Sequence, residues 1–311
     1  MKIFNLNSSI EPRKYSLIHQ AKTALFGINH IRIRHIASLF LLCLLATIMT
    51  ACIGVSAQDR RANANALATA QHWQAARLTS DHFVLISYMP IALVKSEQLT
   101  VYIEGDGFAW LTRSQASDDP TPIKPVGLQL ALRHNNGAAA YLARPCQYVN
   151  DKDAQGCTTS DWTNRRFSPE VIEATNQAVS QLKKTFGAKK LVLVGYSGGG
   201  AVAALVAAKR SDVTQLITVA GNLDHKTWTS LHKVPPLTGS LNPAEAWQSL
   251  QNIPQLHFVG ADDHNISAEV TQSYIARFPP ENRPTMRVIS GFDHACCWVD
   301  QWPELSLSIA H

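Results

Sequence analysis

Ser197 stands in Gly195-Tyr196-Ser197-Gly198-Gly199. An apolar, β-branched run (Lys190-Leu191-Val192-Leu193-Val194) precedes it and a small-residue run from Gly200 to Ala208 follows. Strand, G-x-S-x-G, helix is the setting of a nucleophile elbow, where a serine on a sharp turn lifts its oxygen above a sheet. Gly195 and Gly199 suit that turn because a Cβ at either position would clash where the backbone doubles back. The same turn aims the unpaired N–H groups of a helix N-terminus at the reacting centre. The plainer reading is a glycine-rich turn before a helix.

A serine hydroxyl is a weak nucleophile and needs a base, itself oriented by an acid. Behind an elbow the chain order is serine, acid, histidine. Of the twelve histidines, six follow Ser197. His225 and His232 precede the candidate acids, His257 lies inside a strand, His264 adjoins the acids, and His311 is the last residue. His294, in Gly291-Phe292-Asp293-His294 just past the last expected strand, is the expected base. The acid is expected to be Asp263, midway between Gly260 and Ile266, with Asp262 a solvated turn residue. Asp262, Asp263 and His264 as a metal site is the alternative, but no metal-ligand spacing supports it. Two backbone donors should face the developing oxyanion. One is the N–H of Gly198. The other is expected from Asp106, with Gly107 next, in the turn Glu104-Gly105-Asp106-Gly107-Phe108; the alternative is an ordinary Gly-Asp-Gly turn.

These residues need a scaffold that brings several strand ends together. Strands are expected near 82–88, 99–103, 138–143, 190–194, 215–220, 255–259 and 286–290, and helices near 126–134, 168–186, 200–209 and 267–277. Such alternation predicts an α/β fold with a mostly parallel sheet covered on both faces. Ser168-Pro169-Glu170 carries an N-cap and a first-turn proline for the long helix. Segments 118–122 and 222–244 read as irregular and lie beside the proposed site in chain order. Leu223, Trp228, Leu231 and Leu237 in the second either line an acyl pocket or belong to the core.

The 311 residues, 46% of them hydrophobic, suffice for one large core. The net charge of +5 is unevenly placed: residues 1–51 hold six basic side chains and one acidic, which leaves the remainder balanced. Nothing therefore points to nucleic acid. Arg32, Arg34 and His35 flank an apolar run from Ile36 to Met49, which ends in Met49-Thr50-Ala51-Cys52. This resembles a lipoprotein signal, with residues 1–51 removed and Cys52 acylated; the alternatives are an ordinary cleavable signal or, less well supported by its length, a spanning helix. Ile53 after the cysteine favours the outer membrane of a bacterial envelope. Residues 52–75, polar and small, are expected to tether a domain at 76–311. Export makes disulfides plausible. Cys146 with Cys157 is the first pairing expected. Cys296 and Cys297 are left to bridge each other, to pair elsewhere or to stay reduced; a zinc site joining them to His294 lacks a full set of four ligands.

Tyr102–Gly107, Asp119-Pro120-Thr121-Pro122, Tyr141–Tyr148 with its R-P-C-Q segment, Gly195–Gly199 and Phe292–Trp298 with D-H-A-C-C-W together resemble a largely uncharacterised bacterial family of α/β-hydrolase-fold lipoproteins, over nearly all the chain after Cys52. The resemblance implies an α/β-hydrolase fold and a serine hydrolase of esterase type. It carries nucleophile, acid and base onto Ser197, Asp263 and His294, and implies neither cofactor nor metal. Glu104 departs from the histidine many lipases carry at that place. The expected activity is cleavage of a carboxylic ester of a small molecule or lipid through an acyl-enzyme. The alternatives are an acyltransferase with the same triad and a non-catalytic envelope lipoprotein on this fold.

Overall fold

The structure, a computed structural model, describes residues 55–309. The expected signal segment and Cys52 lie outside them. The first element is helix α1 (Ala57–Ala70), opened by a capping box. Ser56 Oγ accepts from Asp59 N–H, and the Asp59 carboxylate accepts from Ser56 N–H, so two orphan donors are satisfied. Strands β1 (Trp73–Thr79), β2 (Val84–Pro90) and β3 (Gln98–Ile103) follow, then α2 (Val126–Leu132), β4 (Ala138–Leu142) and α3 (Pro169–Phe186). Next come β5 (Lys190–Tyr196), α4 (Gly198–Ala207), β6 (Val213–Val219), α5 (His225–His232) and the one-turn α6 (Trp247–Leu250). The chain ends with β7 (Gln255–Gly260), α7 (Ala268–Ile275), β8 (Thr285–Ile289) and α8 (Trp298–Leu305).

The eight strands form one sheet in the order β1-β2-β4-β3-β5-β6-β7-β8. Only β2 runs antiparallel to its neighbours; β4, β3, β5, β6, β7 and β8 pair in parallel. Buried residues divide into two cores because successive strand side chains point to opposite faces. Leu99, Val101 and Ile103 of β3 join α3, α4 and α7 on one side; Tyr102 joins α1, α2 and α8 on the other. All ten residues of α4 are buried, which is why its sequence is apolar and small on every side. Helix α3 starts on Ser168, whose Oγ accepts from Val171 N–H, and ends at Gly187 with φ +68°.

The structure adds β1, α6 and α8 to the elements expected from the sequence and differs in two further segments. Residues 57–70, expected within a tether, form α1, which packs on the domain through Ala64 and Ala68. Arg60, also buried, donates to Thr121 O at 2.9 Å, and Tyr88 Oη donates to Asn65 Oδ1 at 2.7 Å. The compact unit therefore begins at Val55 rather than residue 76, with β1 as its edge strand. Segment 222–244, expected to be irregular, contains α5. Cys146 is bonded to Cys157, and Cys296 to its neighbour Cys297. Among the described residues, no helix is long and apolar enough to cross a membrane.

Candidate active site

Parallel pairing brings the C-terminal ends of β3, β5, β7 and β8 to one edge, where open α/β sheets place their sites. Ser197 follows β5 directly, with φ +52° and ψ −123°. Such a backbone is strained for any residue with a Cβ and persists only where its surroundings fix it. Here Ser197 N–H donates to Val219 O, and its carbonyl accepts from Gly200 and Asn222. A Cβ on Gly195 would lie 2.3 Å from Gly199 O, and one on Gly199 would lie 2.3 Å from Ile103 O. The elbow closes only with glycine at both.

Ser197 Oγ lies 3.0 Å from His294 Nε2, and His294 Nδ1 lies 2.9 Å from Asp263 Oδ2. The buried Asp263 carboxylate also accepts from the N–H groups of Asn265 and Ile266 at 2.8 Å through Oδ1. With one oxygen fixed by the backbone, the other receives Nδ1–H and leaves Nε2 as acceptor toward the serine. Tyr196 Oη donates to His294 O at 2.9 Å, with its ring 5.5 Å from the imidazole. Asp293 Oδ1 accepts from Ala295 and Cys296 N–H, bonds that hold its carboxyl below its ordinary value. Asp262 and His264 are exposed. Among the described residues, no cluster of three or more His, Cys, Asp or Glu is placed to hold a metal.

The turn after β3 approaches the elbow from the other side. Gly198 is the first residue of α4, so its N–H has no intrahelical acceptor. A Cβ there would lie 2.1 Å from Asp106 Oδ1. Asp106 and Gly107 line the same cleft as Ser197 and His294. The Asp106 side chain is clamped: Oδ1 accepts from Arg144 Nη1 at 3.0 Å and Oδ2 from Arg166 Nη1 at 2.6 Å. Burial works to raise the Asp106 pKa, but the two guanidinium groups outweigh it and hold the carboxyl below its ordinary value. Gln147 Nε2 donates to Gly105 O at 3.0 Å, so the R-P-C-Q segment grips the turn at two points.

Glu104, almost wholly buried, sits beneath that turn. Its carboxyl accepts from the N–H groups of Gly105, Gly127 and Leu128 and from Tyr141 Oη. Burial nonetheless raises its pKa. Glu104 thus ties β3, α2 and β4 together under the cleft. The sequence did not single out Glu104, Arg144 or Arg166 for these tasks. Glu104 in the Tyr102–Gly107 segment and Arg144 in the R-P-C-Q segment carried a signal; Arg166 carried none.

Of Leu223, Trp228, Leu231 and Leu237, Trp228 and Leu237 line a cavity beside the cleft. Leu223 is wholly buried in the core, and Leu231 is exposed.

No family model matches the chain, and no curated protein matches it. Among solved structures it is similar to an esterase from Pyrococcus furiosus, at 12% identity and TM-score 0.51 over 76% of this chain and 88% of that one. It is also similar to an acylaminoacyl peptidase from Pyrococcus horikoshii, at 11% identity and TM-score 0.51 over 71% of this chain and 37% of that one. At these identities the likeness is one of fold: the chain has an α/β-hydrolase fold, with a mostly parallel eight-stranded sheet.

Proposed function

We propose that the protein is a serine hydrolase that cleaves a carboxylic ester through an acyl-enzyme. The observation that carries this reading is the unbroken chain Ser197 Oγ, His294 Nε2, His294 Nδ1, Asp263 Oδ2, with links of 3.0 and 2.9 Å. Ser197 Oγ–H donates to His294 Nε2, which takes the proton as Oγ attacks the ester carbon. The carbonyl oxygen becomes an oxyanion, received by Gly198 N–H and by a backbone donor of the Asp106–Gly107 turn. Asp263 stabilises the imidazolium without taking its proton. The tetrahedral intermediate collapses as Nε2 gives that proton to the departing alkoxide, leaving Ser197 acylated. Water then attacks with His294 again as base. The acid is released and Ser197 Oγ–H restored.

The test is covalent labelling of the purified protein by a fluorophosphonate probe beside Ser197→Ala and His294→Ala. Labelling of the wild type, its loss in the Ser197 variant and its strong reduction in the His294 variant are expected. A folded wild-type protein that is never labelled would falsify the reading.

The proposal extends to location: acylation at Cys52 anchors the enzyme to a bacterial cell envelope. The charged and apolar pattern of residues 32–52 supports this. Metabolic incorporation of an alkyne fatty acid, expected in the natural sequence and absent in Cys52→Ser, tests it.

A further inference from the structure

Two cavities meet beside Ser197. The cleft over Ser197 and His294 has a volume of about 580 Å³; a second, of about 530 Å³, lies between segments 110–113 and 228–237. Trp110, Arg166 and Trp228 belong to the walls of both, so the two cavities are neighbours across these three side chains. Its volume falls within the range of small-molecule sites, which are concave and mostly apolar with few polar groups.

Arg166 at the boundary between the two is held by hydrogen bonds. Arg166 is buried; its Nε donates to Thr163 O at 2.6 Å and its Nη1 to Asp106 Oδ2 at 2.6 Å. Its guanidinium lies 5.9 Å from the Trp228 ring centroid. The Trp228 indole N–H donates to Asn265 O at 3.0 Å, which leaves the ring as an apolar wall. Beyond this boundary the apolar lining is the buried Leu237, the half-buried Val234 and, toward solvent, Leu111, Pro235 and Pro236, with Thr112, Arg113, Asn164 and His232 also exposed on the rim. Arg166 spends its Nε and Nη1 on Thr163 O and Asp106, and the lining beyond it is largely apolar, so the lobe suits an apolar guest.

We propose that this lobe is a chain-binding subsite, and that the protein's substrates are esters bearing a medium-length apolar chain that runs from the carbonyl centre at Ser197 past Trp228 into the space beside Val234 and Leu237. The proposal rests on the serine-hydrolase reading above. It names the shared chemistry, an apolar chain, which an ester can carry on its acyl or its alcohol side. Burying each methylene stabilises the bound state enough to change affinity about fourfold.

The experiment measures kcat/KM, at concentrations below micelle formation, for 4-nitrophenyl acetate, butyrate and octanoate, and for ethyl and octyl acetate. Each is compared within one protein as a long-to-short ratio, which does not depend on the folded fraction. The wild type is expected to favour the long member of one series by at least about tenfold, and the series that responds identifies the side carrying the chain. Val234→Trp, which fills the lobe, and Leu111→Asp, which puts a charge on its exposed rim, are each expected to cut that ratio at least about fivefold. Hydrolysis with ratios near one, or ratios that neither variant moves, overturns the subsite while leaving the triad reading standing. A wild type that neither hydrolyses these esters nor takes the fluorophosphonate overturns the reading beneath it.

Discussion

Ser197 holds a backbone conformation that only its packed surroundings stabilise, and its oxygen meets an imidazole whose far nitrogen is fixed by Asp263. Orientation is the task assigned to Asp263. Its second oxygen is occupied by two backbone N–H groups, so an amide there would face those donors and Nδ1 with one acceptor rather than two. Asp263→Asn is therefore expected to lower kcat on the order of 10³–10⁴-fold with the protein still folded, as measured by ester turnover and circular dichroism. A second residue-scale prediction concerns His257, wholly buried on β7. Its Nδ1 lies 2.9 Å from Thr218 Oγ1, while its Nε2 finds no partner among the described residues. Burial lowers its pKa from 6.5 to about 3. A base whose folded pKa is depressed binds protons more readily unfolded, so stability is full above 6.5 and falls as pH drops toward 3. The slope from this group is at most ~1.4 kcal/mol per pH unit. Urea unfolding of His257→Phe and wild type between pH 7 and 4 is expected to show a flatter profile in the variant; parallel profiles would remove His257 as a source of acid sensitivity.

The elements matter through what they hold at their ends. The turn after β3 is gripped by residues from two later segments, Arg144 with Gln147 and Arg166. Arg144→Met leaves Asp106 one partner and releases one grip on that turn. It is expected to reduce kcat about tenfold or more with a smaller change in KM, the signature of lost transition-state contacts rather than lost binding. An equal rise in KM alone would place Arg144 in substrate binding instead. At the opposite end of the chain order, α1 docks through a narrow face of small residues. Ala64 is wholly buried, so Ala64→Asp buries an unpaired carboxylate and is expected to cost about 2–4 kcal/mol in denaturant unfolding. No change in midpoint would mean that α1 detaches freely. The sequence concealed α1 because alanine and an arginine form its buried face, leaving no apolar stripe. It concealed α8 because Pro303 interrupts a helix that is nonetheless anchored by Trp298 and Trp302, four residues apart on one face.

At the scale of the molecule, the sheet divides the interior into two cores, and the site lies on its edge where loops from both meet. The Cys146–Cys157 bond closes a loop of sequence separation 11 next to Arg144 and Gln147, so it steadies the segment that grips the turn after β3. Replacing both cysteines by serine is expected to cost roughly 2–3 kcal/mol of stability, read from the urea midpoint in oxidising buffer. Reductant should shift the wild type toward the double variant, and any shift left in the variant measures the remaining Cys296–Cys297 bond.

The sequence alone determined the strand–turn–helix around Ser197, the order serine, acid, histidine and the alternation that makes a parallel sheet. Each is written in local periodicity or turn chemistry, which a few neighbouring residues suffice to encode. The sequence prefers Asp263 to Asp262 from its place between Gly260 and Ile266; the structure buries Asp263 against His294 and leaves Asp262 exposed. Only tertiary structure decided that Asp106 would be clamped by arginines 38 and 60 residues away, that α1 would belong to the domain, and that Trp228 and Leu237 but not Leu223 or Leu231 would line a cavity beside the serine. Those outcomes depend on which distant surfaces meet when the sheet is assembled. Charge pairs and cavity walls carry no period along the chain, so nothing short of the packed fold could specify them.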